Sequence, residues 1–244
     1  MQSLPLLRAK SIELGLALDA TALERFETFR ALLIEWNERF NLTRVTDPDE
    51  IERRLFLDSL ALSPLLQRHR IASRVSGNLR LVDIGTGAGF PGLPLKIADP
   101  SIELTLIDAT AKKVGFLDEA IRVLGLGGVR AVHGRSEELA HDAEYRSAFD
   151  VVIARAVAKL PTLIELCMPF CGPRGWGLFP KGSDIEAEVE SAANALMTLR
   201  SKLVSVESPR MPELRGTTIV VIEQVGKPPK LYPRRAGLPA KSPL

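Results

Sequence analysis

The sequence predicts an α/β fold, in which a doubly wound and mostly parallel sheet follows a helical segment and ends in an antiparallel pair of edge strands. Three observations predict it. Short apolar runs alternate with helical stretches over most of the chain. The first run, 81–84, leads into closely spaced glycines, as a buried parallel strand does at its carboxyl end. The last two runs, 203–206 and 217–225, are rich in β-branched residues and are joined by a loop with proline and glycine.

Residues 1–78 are predicted to form an amino-terminal helical segment. Thr21 and Glu24 have the spacing of a capping box, and apolar side chains then recur near helical spacing as far as Phe40. Residues 47–50, Asp-Pro-Asp-Glu, predict the start of another helix. A capping side chain, a first-turn proline and acids at the positive end of the helix dipole occur together there.

Residues 79–225 are predicted to form the second domain, which begins after a joint at 73–78. Its parallel strands are expected to alternate with helices, because right-handed crossovers place helices on both faces of a parallel sheet. The predicted strands are 81–84, 102–107, 129–132, 151–153 and 176–179, and the clearest predicted helices are 112–124 and 183–199.

Residues 226–244 form a basic tail that contains five prolines and no acidic residue. Its cations are Lys227, Lys230, Arg234, Arg235 and Lys241. Proline favours an extended backbone, so the tail is not expected to fold back as a helix. Two interpretations stay open: Arg234 and Arg235 bind an RNA backbone, or the tail only adds solubility.

The composition is that of an ordinary globular protein, with 45% hydrophobic and 25% charged residues and a net charge of +2. This charge balance does not indicate a polyanion-binding protein, so any such site must be a local patch. No apolar run is long enough to cross a bilayer and no signal-peptide pattern is visible, so we expect a cytoplasmic protein with no membrane partner. Cys167 and Cys171 are expected to lie buried on one helix face, and no metal site is expected.

The first strand carries Asp83 near its end and is followed at once by Gly85, Gly87 and Gly89. Glycine has no Cβ, so a cofactor can approach such a loop closely. The second strand runs into Asp108, about the spacing at which an acid that binds ribose hydroxyls follows a glycine loop. Together these features predict a site for a nucleoside-containing cofactor, and G-x-G-x-G directly after the strand is the pattern of an S-adenosylmethionine site.

A dinucleotide cofactor is the alternative, because Gly87, Gly89 and Gly92 also fit the G-x-G-x-x-G pattern of NAD-dependent oxidoreductases. That pattern should open directly after its strand, whereas Gly87 lies three residues beyond it. Pro91 and Pro94 also lack the amides that a pyrophosphate needs at a helix amino terminus. Both observations favour S-adenosylmethionine. The antiparallel edge pair is likewise the shape of class I methyltransferases, which have a Rossmann-like sheet.

Three cations follow predicted strands at the carboxyl edge of the sheet: Arg135 after the third, Arg155 after the fourth and Lys181 after the fifth. Open α/β sheets bind their ligands at this edge. The three side chains therefore predict a positively charged opening beside the cofactor. Two interpretations stay open: this opening binds RNA, or the three cations are ordinary surface charges.

With these motifs the chain resembles the RsmG family, also called glucose-inhibited division protein B, the bacterial methyltransferases that form 7-methylguanosine in 16S ribosomal RNA. The most specific match is 83–92, the glycine loop with Phe-Pro-Gly attached. Other matching segments occur in the family's order at 36–43, 57–60, 135–138, 154–156, 180–182 and 232–235. One departure is Leu55, where the family usually has a histidine after an arginine.

The resemblance implies how the cofactor and the substrate bind. S-adenosylmethionine lies across residues 85–90, with Phe90 as an apolar wall, the ribose near Asp108 and the adenine beside the amides of Ser136 and Glu137. Arg155 borders both the cofactor and the RNA. The implied partner is 16S ribosomal RNA, either free or in a small ribosomal subunit particle.

Two absences favour ring nitrogen 7 as the methyl acceptor. Residues 154–156 lack the Asn/Asp-Pro-Pro-aromatic turn of enzymes that methylate exocyclic amines, and neither cysteine is placed to attack a pyrimidine carbon. Nitrogen 7 of guanine has a free lone pair and no proton to lose. Direct in-line transfer then needs positioning rather than a general base, and no catalytic residue is assigned. A non-catalytic module that binds S-adenosylmethionine or RNA is the further alternative.

Overall fold

Seven strands form a single sheet in the computed structural model, which describes residues 4–73 and 77–244. The strand order is β3-β2-β1-β4-β5-β7-β6. The strands are β1 (Arg80–Ile84), β2 (Glu103–Asp108), β3 (Val129–His133), β4 (Phe149–Ile153), β5 (Cys171–Lys181), β6 (Ser201–Glu207) and β7 (Thr218–Gln224). The first five are parallel, whereas β7 runs antiparallel to both β5 and β6. The predicted parallel sheet with an antiparallel edge pair is confirmed.

The strands in the middle of the sheet are buried on both faces, as parallel strands between two helix layers must be. Adjacent side chains of β1 therefore join two different hydrophobic cores, with Leu81 in one and Val82 in the other. Strand β5 begins at Cys171 rather than near residue 176, whereas Cys167 ends the α-helix Leu160–Cys167 and a 3-10 turn, Met168–Phe170, lies between them. The prediction that both cysteines lie on one helix face is therefore wrong. Both thiols are buried and free, and burial raises the pKa of each.

The amino-terminal helices cover one face of the sheet. They are α1 (Pro5–Glu13), α2 (Ala20–Phe40), α3 (Pro48–Glu50), a π-helical stretch (Ile51–Leu57), α4 (Asp58–Leu60) and α5 (Ser63–Ser73). Asp19 caps α2 by accepting a hydrogen bond from the Ala22 amide at 2.7 Å, so the predicted capping box is wrong. The predicted start at 47–50 is confirmed, because Asp47 accepts from two first-turn amides at 3.0 Å. Part of the predicted joint, 74–76, lies outside the described residues.

The remaining helices complete both layers. They are α6 (Gly92–Ala98), α7 (Ala111–Val123), α8 (Ser136–Leu139), α9 (Leu160–Cys167), α10 (Glu186–Ser191), α11 (Ala193–Thr198) and α12 (Leu238–Lys241). Side chains of α6 and α7 share a core with the amino-terminal helices, and those of α9 and α11 fill the other face. The predicted helix 183–199 is divided in two, because the Ala192 amide bonds to Val189, only three residues back. Across the two described ranges, no helix is long and apolar enough to span a bilayer.

The tail packs against the second helix layer and ends in the short helix α12, so the expectation that it cannot fold back as a helix is wrong. The Arg146 guanidinium donates to the carbonyls of Pro228, Pro229 and Tyr232 at 2.9–3.1 Å. Arg234 forms a 2.6 Å ion pair with Glu165, which is fully buried. The partners that hold the tail lie far away in the chain, so local proline content could not predict them.

Candidate active site

The glycine loop after β1 is held against the end of β2 by its own backbone. The amides of Gly85 and Thr86 both donate to the Ile107 carbonyl, at 2.8 and 3.1 Å. The Gly87 amide donates to Asp108 Oδ2 at 2.9 Å. The loop thus has a fixed conformation that requires no ligand.

The three glycines of the loop have positive φ angles of 61–89° but serve two different purposes. A Cβ on Gly89 would lie 2.4 Å from Leu93 Cδ1, and one on Gly85 would lie 2.7 Å from a methyl of Val157. A Cβ on Gly87 would meet nothing within 4 Å. Gly89 is therefore required by packing inside the protein, Gly85 lies against the side chain of the exposed Val157, and Gly87 presents its backbone to open space.

Asp83 is fully buried directly beneath this loop. Its Oδ2 accepts from Thr86 Oγ1 at 2.7 Å and from the Gly92 amide at 2.9 Å. Its Oδ1 is also buried and has no hydrogen-bond donor. Burial raises the pKa of the Asp83 carboxyl to about 6. A buried acceptor without a donor is unfavourable, so this oxygen suits a ligand that brings an N–H group.

Asp108 lies on the other side of the loop, at the end of β2, and is 5% exposed. Its Oδ1 accepts from the Thr110 amide, just before α7, at 2.9 Å, while Oδ2 accepts from Gly87. Lys113 Nζ lies 3.5 Å from the same carboxylate. Each carboxylate oxygen has a second lone pair, so these contacts orient Asp108 and leave it able to accept from ribose hydroxyls.

Ser136 and Glu137 open helix α8 at the end of β3, next to the exposed Arg135. Ser136 is buried, and its hydroxyl lies 3.3 Å from Glu137 Oε2. Glu137 Oε1 accepts from the Gly237 amide at 3.1 Å. The Glu137 side chain therefore holds the tail, and the tail reaches the corner predicted for adenine.

Phe90 lies in an aromatic cluster instead of facing open space. Its ring is 5.2 Å from Phe29 and 6.1 Å from Phe56, both on amino-terminal helices, and it is 6% exposed. The guanidinium carbon of Arg155 lies 5.6 Å from the centre of the same ring. Phe90 thus connects the glycine loop to the amino-terminal segment, a role that its position in the motif did not reveal.

Three of the five predicted RNA-binding cations have partners within the protein. Arg155 donates to Asp58 Oδ2 at 3.0 Å and to the Arg54 carbonyl at 3.2 Å. Lys181 donates to Glu188 at 2.6 Å and to the Ala158 carbonyl at 2.8 Å, and the third, Arg234, is the partner of Glu165. The other two, Arg135 and Arg235, are exposed.

Asp58 is a site residue that the sequence reasoning did not single out. Its two oxygens join separate segments, with Oδ2 bonded to Arg155 after β4 and Oδ1 accepting from Thr217 Oγ1, before β7, at 2.8 Å. The only available signal was its place in the matching segment 57–60. Leu55, the departure from the family, is 7% exposed and lines a cavity beside Asp58.

Two adjoining cavities, of about 370 and 280 Å³, lie beside Arg155 and share Asp58 and Thr217 in their walls. A larger cavity of about 490 Å³ lies at the opposite, amino-terminal edge of the sheet. Its two arginines are already paired, Arg80 with Asp150 at 2.8 Å and Arg130 with Glu144. Because ligands of open α/β sheets bind at the carboxyl edge, the two adjoining cavities belong to the candidate site. Within the part of the chain that the structure describes, no three His, Cys, Asp or Glu side chains are grouped to hold a metal ion.

A glycine loop after β1, an acid at the end of β2 and an antiparallel β7–β6 edge define the fold of class I methyltransferases. A SAM-dependent methyltransferase from Aquifex aeolicus aligns with a TM-score of 0.52 and 16% identity, over 76% of this chain and 97% of that one. A mutant of MtNAS in complex with S-adenosylmethionine aligns with a TM-score of 0.53 and 17% identity, over 91% and 78% of the two chains. At these identities the likeness establishes the fold.

Similarity of sequence establishes the family. The GidB family model, rRNA small subunit methyltransferase G, matches residues 22–214. Proteins named Ribosomal RNA small subunit methyltransferase G are 41% identical in Dehalococcoides mccartyi strain CBDB1, over 95% of both chains, and 44% identical in Roseiflexus castenholzii, over 94% and 95%. The chain therefore belongs to the rRNA small subunit methyltransferase G family, which confirms the family predicted from the motifs and does not favour an oxidoreductase.

Proposed function

We propose that the protein transfers the methyl group of S-adenosylmethionine to nitrogen 7 of a guanosine in 16S ribosomal RNA. The observation that carries the proposal is the pairing of two features at one sheet edge. The first feature is the open backbone at Gly87 above Asp83, whose Oδ1 has no hydrogen-bond donor. The second is the pair of cavities bordered by Arg155. The first feature suits a cationic nucleoside cofactor, and the second suits a polyanionic substrate.

The residues present fit S-adenosylmethionine, which supplies an electrophilic methyl group bound to a positively charged sulfur. Asp83 Oδ1 would accept from its ammonium group, since this buried oxygen has no other donor. Gly87 would allow the ligand to contact the loop backbone, and Asp108 would bind the ribose hydroxyls. The backbone amides of Ser136 and Glu137 would bind the adenine. The Glu137 side chain has a different role, since it accepts a hydrogen bond from the tail.

The surroundings of the site support nitrogen 7 rather than an exocyclic amine or a ring carbon. After β4 the chain continues as Ala154-Arg155-Ala156, without the prolines and aromatic residue of an amine-binding turn. The thiols of Cys167 and Cys171 are fully buried with raised pKa values, so neither is available as a nucleophile. Nitrogen 7 needs neither device, and the protein's contribution is to position the guanine and exclude water.

The proposed substrate is a single-stranded or splayed part of the RNA, because an A-form helix hides nitrogen 7 in its narrow major groove. The exposed Arg135 is the proposed contact on the cofactor side of the opening. A ribosomal RNA substrate implies that the protein acts in the cytoplasm.

Methyl transfer to small-subunit ribosomal RNA that lacks modifications tests the proposal directly. The protein is incubated with that RNA and methyl-labelled S-adenosylmethionine, and the digested nucleosides are separated. We expect the label in 7-methylguanosine, with Asp108→Ala as a control that impairs cofactor binding. Label in an exocyclic N-methylguanosine or in 5-methylcytidine would contradict the assignment of nitrogen 7. Saturable NADH binding without transfer would instead support an oxidoreductase.

A further inference from the structure

The amino-terminal segment forms one wall of the 370 Å³ cavity beside Arg155. The π-helical stretch contributes Arg53 and Arg54, and the loop before β7 contributes Arg215 to a second wall. Arg155 and Asp58 separate this cavity from the one bordered by Lys181. The cavity therefore lies next to the proposed methyl-transfer site but is built largely from elements outside the glycine-loop motif.

The π-helix determines how this wall meets the site. The Asp58 amide donates to the carbonyl of Arg53, five residues back, where an α-helix would bond it to Arg54. The Arg54 carbonyl is thus free to accept from the Arg155 guanidinium at 3.2 Å. The same widened turn brings the Asp58 carboxylate to Arg155. Irregular helical turns of this kind are frequent at functional sites.

The charges of the cavity favour an anion. Four arginines line it against two carboxylates, so positive charge is in excess. Asp58 is bonded to Arg155, and Glu213 Oε1 lies 3.1 Å from Lys10 while Glu213 Oε2 has no hydrogen-bond partner. Two of the arginines remain available. The Arg54 side chain is 59% exposed, and its distance of 3.7 Å from Glu50 is long for an ion pair. Glu50 forms its closer pair, at 2.8 Å, with Arg53. Arg215 is exposed and has no ion pair within the described ranges.

We propose that Arg54 and Arg215 bind the phosphodiester backbone of the RNA beside the reacting guanosine. The proposal rests on the RNA methyltransferase function proposed above, and adds two contacts from the amino-terminal segment and the β6–β7 connection. Arginine suits this role because its planar guanidinium can donate two parallel hydrogen bonds to a phosphate. Arg155 and Lys181, whose charges are satisfied inside the protein, then form the framework between the phosphate contacts and the cofactor.

The test compares Arg54→Gln, Arg215→Gln and the double variant with Arg122→Gln. Arg122 is an exposed, ion-paired arginine in the last turn of α7, near the opposite edge of the sheet, so its substitution removes the same charge elsewhere. Glutamine at position 54 keeps the backbone carbonyl that holds Arg155. Affinity for unmodified small-subunit ribosomal RNA is measured over a range of salt concentrations, together with kcat, KM and S-adenosylmethionine affinity.

The slope of log RNA affinity against log salt concentration should become shallower by about 0.7 for each single substitution, the value for one phosphate contact on a single strand. For the double variant the change should be twice as large. KM for RNA should rise about tenfold per substitution, with kcat and cofactor affinity unchanged, because these contacts bind substrate and transition state alike. Slopes equal to that of Arg122→Gln would overturn the proposal even if the wild-type protein methylates RNA. A wild-type protein that binds RNA with the expected slopes but transfers no methyl group would instead contradict the proposed function.

Discussion

The carboxyl edge of the sheet has two halves that are built differently. Around β1 and β2 the site is made of backbone, with loop amides bonded to Ile107 and Asp108, which lie 21 or 22 residues further along the sequence. Around β4 and β5 it is made of paired charged side chains. Arg155 meets Asp58 from 97 residues away, and Lys181 meets Glu188 on a different element.

This difference indicates what kind of ligand each half can bind. The backbone half presents one open surface at Gly87 and one acceptor without a donor at Asp83, so it is ready for a ligand of fixed shape. In the side-chain half, Arg155 and Lys181 neutralise carboxylates, and the Arg54 side chain at its rim is 59% exposed. Variants can separate the two halves, because substitutions in one should leave the ligand of the other unaffected.

The largest effect is expected from Arg234 in the tail, which is paired with a carboxylate as the cations of the side-chain half are. Arg234→Ala would remove the guanidinium partner of the fully buried Glu165 and leave only the backbone amide of residue 234 donating to it. Breaking such a pair lowers the free energy of unfolding by about 3–5 kcal/mol. Denaturant unfolding measures this loss, and a double substitution of Glu165 and Arg234 by methionine should restore most of it. An unchanged stability together with a smaller salt slope for RNA binding would show that Arg234 contacts RNA instead.

Next in size is a contrast within the backbone half. Gly89→Ala places a methyl group 2.4 Å from Leu93 in a left-handed conformation, so the free energy of unfolding should fall by about 2–4 kcal/mol. Gly87→Ala meets no atom and should cost only about 1 kcal/mol of stability, yet it should weaken S-adenosylmethionine binding. Thermal unfolding and calorimetric titration of both variants check this contrast. Equal losses of stability would mean that Gly87 does not face open space.

Asp83 provides a pH-dependent test of the same half. Its folded pKa of about 6 lies above the ordinary value of 3.8, so its ionised form is disfavoured by folding. The free energy of unfolding should therefore decrease by up to about 3 kcal/mol as pH rises through the window between these two values. A cationic ligand prefers the ionised carboxylate, so S-adenosylmethionine affinity should fall about tenfold from neutral pH to one pH unit below this pKa.

Asp83→Asn is the matched variant for this pH dependence. It keeps the shape of the side chain but should weaken cofactor binding by about 10- to 100-fold, since a charge-assisted hydrogen bond is lost. It should also remove the pH dependence of binding below neutral pH. A wild-type affinity that is constant across this pH range would show that Asp83 does not contact the ammonium group.

The smallest effect is expected from Lys181, whose side chain is mostly buried in the side-chain half. Lys181→Met removes hydrogen bonds to Glu188 and the Ala158 carbonyl and should lower the free energy of unfolding by about 1 kcal/mol. The salt slope of RNA binding should stay as in the wild type, in contrast to that of Arg54→Gln. A smaller slope without loss of stability would assign Lys181 to the RNA.

The sequence predicted the position of the backbone half, because its parts lie in two consecutive strands and the loop after the first. A strand, closely spaced glycines and an acid at the end of the next strand suffice to place Gly87 and Asp108 at one edge. The partners of Arg155 and Arg234 could not be predicted, because Asp58 and Glu165 reach them only through tertiary packing. The π-helix at 51–57 has no sequence periodicity of its own, so the exposure of Arg54 was equally invisible.

The central claim is that S-adenosylmethionine binds at the glycine loop. Its most direct test is a crystal structure of the protein with S-adenosylhomocysteine, the molecule that remains after the cofactor has given up its methyl group. The account predicts ligand density against the Gly87 backbone, with its ribose at Asp108 and its amino group within hydrogen-bond distance of Asp83 Oδ1. Density in the larger cavity at the opposite edge, between Arg80 and Arg130, would contradict the account.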